Sequence, residues 1–196
     1  MMNRQTNNFP PYKKPAVLET ERLILRPWAE SDADELFKYA SSPEIGPATG
    51  WPAHTDIENS KEVIKTVLSA PETYALVLKD TVSPIGNISL MIGERSNIGI
   101  PPTEGEIGYW IGVPFWGRGL IPEAAQAMLK RAFSDLGLKK VWGGYFEGNA
   151  KSKRVLEKCG FSYKYTLKDM PWPLLHEIKT LHITCLTKDE WQQRKH

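Results

Sequence analysis

The sequence predicts a single α/β (α+β) domain, and two stretches in which a strand pattern leads into a helix pattern carry this prediction. In the first, Glu106–Val113 has the β-branched and aromatic composition of a strand, and the glycines Gly117 and Gly119 separate it from an amphipathic helix. In the second, a strand over Val141–Phe146 leads into a short helix. At 196 residues, the chain falls in the single-domain range and is long enough to bury a substantial core.

Composition and charge argue against several classes of protein. The formal net charge of +2 is spread over mixed acidic and basic residues, which gives no reason to expect a nucleic-acid partner. Two isolated cysteines suit the reducing cytoplasm. The segment Met1–Ala16 has no apolar core of the kind a signal peptide carries, and no apolar run long enough to cross a membrane occurs elsewhere. We therefore expect a cytoplasmic protein with a flexible tail over residues 1–16 and one domain over residues 17–196, without a membrane partner.

The order of elements follows from periodicity and from turn residues. Further strands are expected at Leu23–Leu25, Tyr74–Leu78, Ile85–Ile92 and Ile178–Leu186. Two early helices are each predicted to begin at a capping box, formed by Ser31 with Asp34 and by Thr55 with Glu58. The second of these helices has an expected apolar stripe of Ile57, Ile64, Val67 and Leu68. Long proline-containing loops are expected at Gly93–Gly105 and Asp169–Glu177.

The glycine pair suggests a binding site for an anion. Without a Cβ, Gly117 and Gly119 can adopt a positive φ and admit a ligand close to the backbone. The helix that follows would direct its unpaired N–H groups and the positive end of its dipole at that ligand, which favours a phosphate. The dinucleotide fingerprint is not met, because Pro122 stands where its third glycine would be. A different phosphate-bearing cofactor, or a purely structural turn, are the two interpretations that remain.

The second strand–helix unit has its own candidate residues. Asn149 is a natural N-cap, and Gly160 is placed to end the helix. Ser152 lies three residues after Asn149, in the first turn of the helix, and could simply be a solvated residue. Cys159 lies on the apolar stripe of the helix, so we expect an inert buried thiol rather than an acyl carrier.

Together, these segments resemble the GNAT superfamily of acetyl-CoA-dependent N-acetyltransferases. Within it, they are similar to the RimJ/RimL-like branch, which includes ribosomal-protein N-terminal acetyltransferases. Five blocks in the same order carry the resemblance: LETERLILRPW, PIGNISL, EIGYWIGVPFWGRGLIPEA, NAKSKRVLEKCGF and CLTKDEW. The implied fold is a twisted, mixed and mostly antiparallel sheet of six to seven strands. About four helices flank it, and it opens between two parallel strands.

The resemblance also implies a cofactor, acetyl-CoA, and no metal. The family's phosphate loop aligns with Pro114–Gly119, the strand end before it would pair with the pantetheine arm, and Asn149 would bind that arm from the opposite side. The implied cofactor-binding residues are Ile111, Gly112, Val113, Gly117, Arg118, Gly119, Leu120, Ile121, Asn149 and Ser152.

Two departures from the family pattern affect the catalytic assignment. Pro114 replaces the first polar residue of the phosphate loop, and Leu156 replaces the tyrosine that often protonates the leaving thiolate. Ser152 is then the candidate acid. Glu106 is the candidate base, with Glu104 as its substitute, and the alternative for each is an ordinary solvated carboxylate at a strand edge.

The function implied is acetyl transfer from acetyl-CoA to a primary amine, with a protein N-terminus as one acceptor. A small-molecule amine and a non-catalytic CoA-binding domain stay open as alternatives. In the family, the segments around Trp51 and Trp172 border the acceptor pocket, although packing is the commoner role of such residues. His182 is expected to be a satisfied strand histidine, and a homodimer is suggested by family analogy alone.

Overall fold

The computed structural model describes residues 16–194, which form one eight-stranded sheet with helices on both faces. Residues 1–15 of the expected tail lie outside this range. The order of strands across the sheet is β1-β2-β3-β4-β5-β6-β8-β7, and β5 and β6 are parallel whereas the other neighbouring strands are antiparallel. The strands are β1 Leu18–Glu19, β2 Leu23–Arg26, β3 Thr73–Leu78, β4 Pro84–Ile92, β5 Glu104–Ile111, β6 Lys140–Phe146, β7 Ser162–Trp172 and β8 Glu177–Thr187.

Six α-helices lie within the described residues. They are α1 Ala33–Ala40, α2 Gly46–Thr49, α3 Ile57–Val63, α4 Leu120–Lys130, α5 Ala150–Cys159 and α6 Lys188–Gln193. Both α3 and α4 continue into a wider π-helical turn, at Ile64–Leu68 and Arg131–Asp135 respectively. Between residues 16 and 194, no helix is long and apolar enough to cross a membrane.

Successive side chains of the central strands point to opposite faces of the sheet, so the hydrophobic core is divided into two clusters. On β3, Tyr74, Leu76 and Leu78 join the larger cluster, which includes the buried faces of α4 and α5. Ala75 and Val77 point the other way, into a smaller cluster with α1 and the segment after α3. Every residue of β3 is buried, as expected for a strand covered on both faces.

The architecture confirms the predicted fold class and most of its strands. The sheet is mixed and mostly antiparallel with one parallel pair, as the resemblance implies. It has eight strands, whereas six to seven were expected. The sequence predicted neither the short β1 nor any part of β7. The expected loop over Asp169–Glu177 is wrong in its first part, where β7 continues to Trp172. An irregularity in the pairing between Leu167 and Met170 lets the strand pass through this stretch.

The two predicted capping boxes are wrong. Before α1, the carboxylate of Asp32, and not Ser31, accepts a hydrogen bond from the N–H of Ala29 at 2.9 Å. At α3, the N-cap is Asp56, which accepts from the N–H of Asn59 at 2.7 Å. Asp56 thus takes the capping role that the sequence pattern assigns to Thr55, since a carboxylate is an equally good or better cap. Asp32 instead bonds back to the residue that begins the short helical turn before α1, which is the role of the acidic residue in a capping box.

The predicted stripe of the second helix is only partly buried. Ile64 and Leu68 lie in the core, whereas Ile57 and Val67 are exposed. Val67 lies within the π-helical turn that follows Val63, where more residues per turn than in an α-helix place it off the expected face. Ile57 is the first residue of α3.

A buried ion pair ties α4 to the start of β3. The guanidinium of Arg131 contacts both carboxylate oxygens of Glu72, at 2.9 and 3.2 Å, and Tyr74 donates to the same carboxylate at 2.8 Å. Both charged side chains are mostly buried, and their bidentate contact raises the pKa of Arg131. Removing one partner from such a pair is costly because it leaves the other charge buried without compensation.

We predict that Arg131→Met lowers the free energy of unfolding by about 3 kcal/mol, because Glu72 is then left with only the tyrosine hydroxyl. The double variant Glu72→Gln/Arg131→Met should recover most of this loss, since no unpaired charge remains. Urea denaturation measures both. A loss equal in the single and double variants would show that the packing of the arginine chain, rather than its charge, is what stabilises this contact.

A candidate cofactor and active site where two parallel strands part

The sheet opens between its two parallel strands. Pairing of β5 with β6 runs from Glu104 opposite Lys140 to Ile107 opposite Gly143 and does not continue beyond these residues. The N–H of Gly112 donates to the carbonyl of Ile85 on β4 at 2.8 Å. Because hydrogen-bonding direction alternates along an antiparallel strand, the backbone groups of Tyr109 and Ile111 then point away from β4, toward the opening. An extended ligand arm could pair with them there.

Glycine allows α5 to lie directly over the point where the strands part. A Cβ added to Gly143 would stand 2.5 Å from Cδ2 of Leu156, so a larger residue at this position would displace the Leu156 side chain. Leu156 therefore rests on the last paired residues of the sheet. Ser152 lies one helical turn, about 6 Å, nearer the start of α5, above the unpaired ends of the strands.

The phosphate-loop residues adopt the conformation that their sequence predicts. Gly117 and Gly119 both have φ of +74°, and α4 begins at Leu120. A Cβ at Gly117 would meet nothing within 4 Å, and one at Gly119 would meet only the guanidinium of Arg22, at 3.7 Å. Open space next to left-handed glycines, at the positive end of a helix of eleven residues, fits a pyrophosphate. Arg118 and Ile121 belong to the same segment.

A polar network that the sequence analysis missed supports this loop. Glu123, in the first turn of α4, accepts hydrogen bonds from the Thr20 hydroxyl, the Arg22 N–H and the Arg22 guanidinium at 2.5, 2.8 and 2.6 Å. The same guanidinium donates to the carbonyl of Arg118 at 2.9 Å. Burial opposes ionisation of Glu123, but these donors outweigh it and lower its pKa. The sequence did contain a signal for this network, because Thr20 and Arg22 belong to the first of the five blocks that resemble the family.

Trp116 connects the loop to both sides of the opening. Its indole N–H donates to the carbonyl of Ile111 at 2.9 Å, and the ammonium of Lys151 lies 3.3 Å from its ring centroid. The carbonyls of Gly112 and Val113 accept from the N–H groups of Phe115 and Trp116 in the short helical turn that follows β5. The strand thus ends at Ile111, two residues earlier than predicted. The carbonyls of Ile111, Gly112 and Val113 all accept hydrogen bonds from within the chain.

The two candidate carboxylates of β5 are buried and bonded. Glu106 accepts hydrogen bonds from the Ser96 hydroxyl and the Asn97 N–H, at 2.8 and 2.7 Å, and so fastens the loop between β4 and β5. Glu104 accepts from the Trp142 indole at 2.6 Å and pairs with the ammonium of Lys140 at 3.1 Å. Glu106 is the nearer of the two to the opening, since it directly precedes the last paired residue of β5.

The candidate acid lies on the opposite face of the sheet from the candidate base. The hydroxyl of Ser152 is 2.9 Å from that of Tyr109, another residue that the sequence analysis did not single out. Tyr109 and Glu106 differ by an odd number of positions on one strand, so their side chains point to opposite faces. A group held in the opening would therefore have Glu106 on one side and Ser152 on the other.

Asn149 is the N-cap of α5, as predicted. Its side-chain oxygen accepts from the N–H of Ser152 at 3.0 Å, and its amide donates to the carbonyl of Ala48 at 3.1 Å. The segment after α2 is also held by Trp172, whose indole donates to the carbonyl of Gly50 at 2.6 Å. These two contacts fix the Gly46–Trp51 segment beside the opening.

The remaining residues considered in the sequence analysis are buried, hydrogen-bonded or packed against other side chains. Cys159 and Cys185 are buried free thiols, and burial raises the pKa of each to about 11, which suits the inert role expected for them. His182 shares a hydrogen bond of 2.8 Å with the Thr166 hydroxyl. Trp51 packs edge-on against the buried Trp110, with centroids 5.9 Å apart. Over residues 16–194, no group of three or more His, Cys, Asp or Glu side chains is arranged to hold a metal ion.

The fold is a mixed sheet that opens between β5 and β6, with the glycine loop and the start of α4 beside the opening. The family model for the acetyltransferase (GNAT) domain matches residues 22–162. The chain therefore belongs to the GNAT family of acetyltransferases.

Individual relatives agree with this assignment. The chain is 29% identical over 157 residues to "Uncharacterized N-acetyltransferase p20" of Bacillus licheniformis, a match that covers 78% of this chain and 85% of the relative. It is 33% identical over 89 residues to "FsC-acetyl coenzyme A-N(2)-transacetylase" of Aspergillus fumigatus, which covers 44% and 37% of the two chains. The crystal structure of a GNAT-family acetyltransferase from Bacillus anthracis has the same fold, with a TM-score of 0.78 at 20% identity over 89% of this chain and 99% of that one.

Proposed function

We propose that this protein transfers the acetyl group of acetyl-CoA to a primary amine, and that the amine is a protein N-terminal α-amine. The observation that carries the proposal is the opening between β5 and β6, with the start of α4 at its mouth and Glu106 and Ser152 on its two sides. Acetyl-CoA as donor is supported by family membership and by the printed name of the Aspergillus fumigatus relative. The two unpaired cysteines agree with a cytoplasmic location.

In this proposal, the first turn of α4 and the glycine loop bind the pyrophosphate. The residues concerned are Gly117, Arg118, Gly119, Leu120 and Ile121. The pantetheine arm pairs at the end of β5, from Ile111 through Val113, with the backbone N–H groups that are not bonded within the chain. Asn149 and Ser152 contact the arm from the start of α5. Since Asn149 already uses its amide on Ala48, its contact with the arm requires its second amide hydrogen or an exchange of partners.

The reaction is a direct displacement in a ternary complex. The amine approaches from the Glu106 side, and its nitrogen attacks the thioester carbonyl while Glu106 takes a proton, directly or through water. A backbone N–H at the opening, that of Ile111 or the neighbouring Tyr109, stabilises the oxyanion. The carbon–sulfur bond then breaks, and Ser152 donates a hydrogen bond to the departing thiolate. No covalent acyl-enzyme forms, and the buried Cys159 takes no part.

Energetics favour an α-amine over a lysine side chain. A lysine with pKa near 10.4 needs about 4.6 kcal/mol to become neutral at pH 7, whereas an α-amine with pKa near 7.7–8.0 needs about 1–1.4 kcal/mol. Of the two carboxylates on β5, only Glu106 lies next to the last paired residue, Ile107, and it is already hydrogen-bonded to Ser96 and Asn97. Modest assistance of this kind suits the acceptor that is easier to deprotonate. It also argues against a polyamine, which a strongly acidic surface would favour.

The acceptor class is tested with two peptides of one sequence. One has a free N-terminus and an acetylated lysine, and the other has a blocked N-terminus and a free lysine; spermidine serves as a small-molecule comparator. We predict that the first peptide is acetylated at least tenfold faster than the others, measured by thiol release and by product mass. Turnover confined to spermidine would contradict the choice of acceptor. A protein that binds acetyl-CoA but acetylates none of these amines would support the non-catalytic alternative.

The phosphate loop is tested by a matched pair of glycine variants. Gly119 and Gly137 have similar φ values, +74° and +68°, and a side chain at either position has room, so Val imposes comparable backbone strain at both. We predict that Gly119→Val weakens acetyl-CoA binding at least tenfold in calorimetry, because its side chain blocks the helix N-terminus, and that Gly137→Val leaves affinity unchanged. Equal affinities in two folded variants would refute the loop assignment.

The role of Glu106 is separated from its structural contact by a second pair. Glu106→Gln removes the base, whereas Ser96→Ala removes one donor to the carboxylate and keeps the carboxylate itself. We predict that Glu106→Gln lowers kcat, with the loss greatest at low pH, where fewer acceptor amines are already neutral. Ser96→Ala should shift kcat by less than threefold at every pH. The same pH-independent loss in both variants would mean that Glu106 acts by holding the loop.

A further inference from the structure

Tyr109 lies at the opening, next to Ser152, and has no role in the reaction proposed above. It is the second residue of β5 beyond the last pair with β6, and its side chain lies on the face covered by α5. Its hydroxyl oxygen is 2.9 Å from the Ser152 hydroxyl oxygen and 3.2 Å from the Ser152 carbonyl oxygen. The phenol thus reaches across the opening to the residue proposed to meet the leaving thiolate.

The two hydroxyls have two ways to share their hydrogens. If Ser152 donates to the tyrosine oxygen, the tyrosine O–H can point at the Ser152 carbonyl, and no serine hydrogen is left for a ligand. If Tyr109 donates to the serine oxygen, the Ser152 O–H is free to turn toward the opening. The backbone of Ser152 is held in the first turn by Asn149, so the choice concerns the hydrogens and the serine rotamer alone. Tyr109 can therefore set the direction of the Ser152 donor.

Full proton transfer from Tyr109 to the leaving group is not the favoured role. A cysteine-like thiol has pKa near 8.5 and a tyrosine near 10, so moving the proton to the thiolate is uphill by a factor of about 30 even before burial is considered. Burial raises the pKa of Tyr109 further, although the hydrogen bond with Ser152 opposes this. The phenol stays protonated and acts as a lasting donor.

We propose that Tyr109 is a positioning residue for Ser152: its O–H donates to the serine hydroxyl oxygen and turns the serine O–H toward the sulfur of CoA. The inference rests on the proposed function and adds to it. As the carbon–sulfur bond breaks, its electron pair stays on sulfur, and the thiolate is stabilised by the Ser152 hydrogen bond. The amine proton goes to Glu106, which releases it to solvent, and the CoA thiolate takes up one proton from solvent after it leaves.

A double-mutant cycle tests this with the full-length protein. We predict that Tyr109→Phe lowers kcat about tenfold, the effect of one hydrogen bond, with the KM for acetyl-CoA unchanged. The double variant Tyr109→Phe/Ser152→Ala should be no slower than Ser152→Ala alone, since the tyrosine acts only through the serine. Tyr74→Phe is the matched control, because it also removes a hydroxyl bonded to a neighbouring side chain, and it should keep wild-type kcat. Unchanged kcat in Tyr109→Phe, or additive losses, would overturn the proposal.

A second readout does not depend on turnover. The pKa of the CoA thiol bound to the protein is followed by the ultraviolet absorbance of the thiolate. We expect wild type to lower this pKa relative to free CoA, and Tyr109→Phe and Ser152→Ala both to bring it back toward the free value. Wild-type protein that fails to bind CoA would refute the proposed function and this inference together. A lowered pKa that survives in Tyr109→Phe would refute the inference alone.

Discussion

The parting of β5 from β6 after Ile107 and Gly143 is the constraint on which the rest of the site depends. Two neighbouring strands that stop pairing leave backbone groups without partners, and such groups are costly unless something bonds to them. The protein satisfies part of this need itself, since the Trp116 indole donates to Ile111. In the proposed complex, the remaining backbone groups pair with the amide groups of the ligand. Gly143 completes the arrangement, because the missing Cβ lets Leu156 bring α5 close.

In the proposed site, the charge at the mouth of the opening favours an anion. An acidic side chain in the first turn of α4 would by itself repel a pyrophosphate, yet Glu123 occupies that turn. Arg22 neutralises it and also bonds to the carbonyl of Arg118, so the same cation shapes the loop and offsets the unfavourable charge. The positive end of the helix dipole and the open space beside Gly117 are then free to act on a ligand.

The parts of the structure that sequence predicted well are those with a local physical cause. Alternation and composition located β3, β4 and β6 to within one residue at either end. Positive φ was expected at Gly117 and Gly119, and Gly160 was expected to end its helix, as all three do. β7 was missed since its exposed, lysine-containing sequence lacks an alternating apolar face and it includes Pro171. A strand of this kind is defined by its pairing with β8, which no local pattern reveals.

The candidate site combines residues that carry a local sequence signal with contacts that depend on the tertiary fold. Glu106, Ser152 and Asn149 were identified through motif blocks, but the contact between Tyr109 and Ser152 joins residues on β5 and α5 whose proximity depends on the tertiary fold. The Arg22–Glu123 pair likewise joins residues far apart in the chain.

The most direct measurement is a crystal structure of the protein with acetyl-CoA. The account predicts the pyrophosphate within hydrogen-bond distance of the N–H groups of Gly117 to Leu120, with the acetyl group between β5 and β6. A cofactor bound with its acetyl group outside this opening would contradict it.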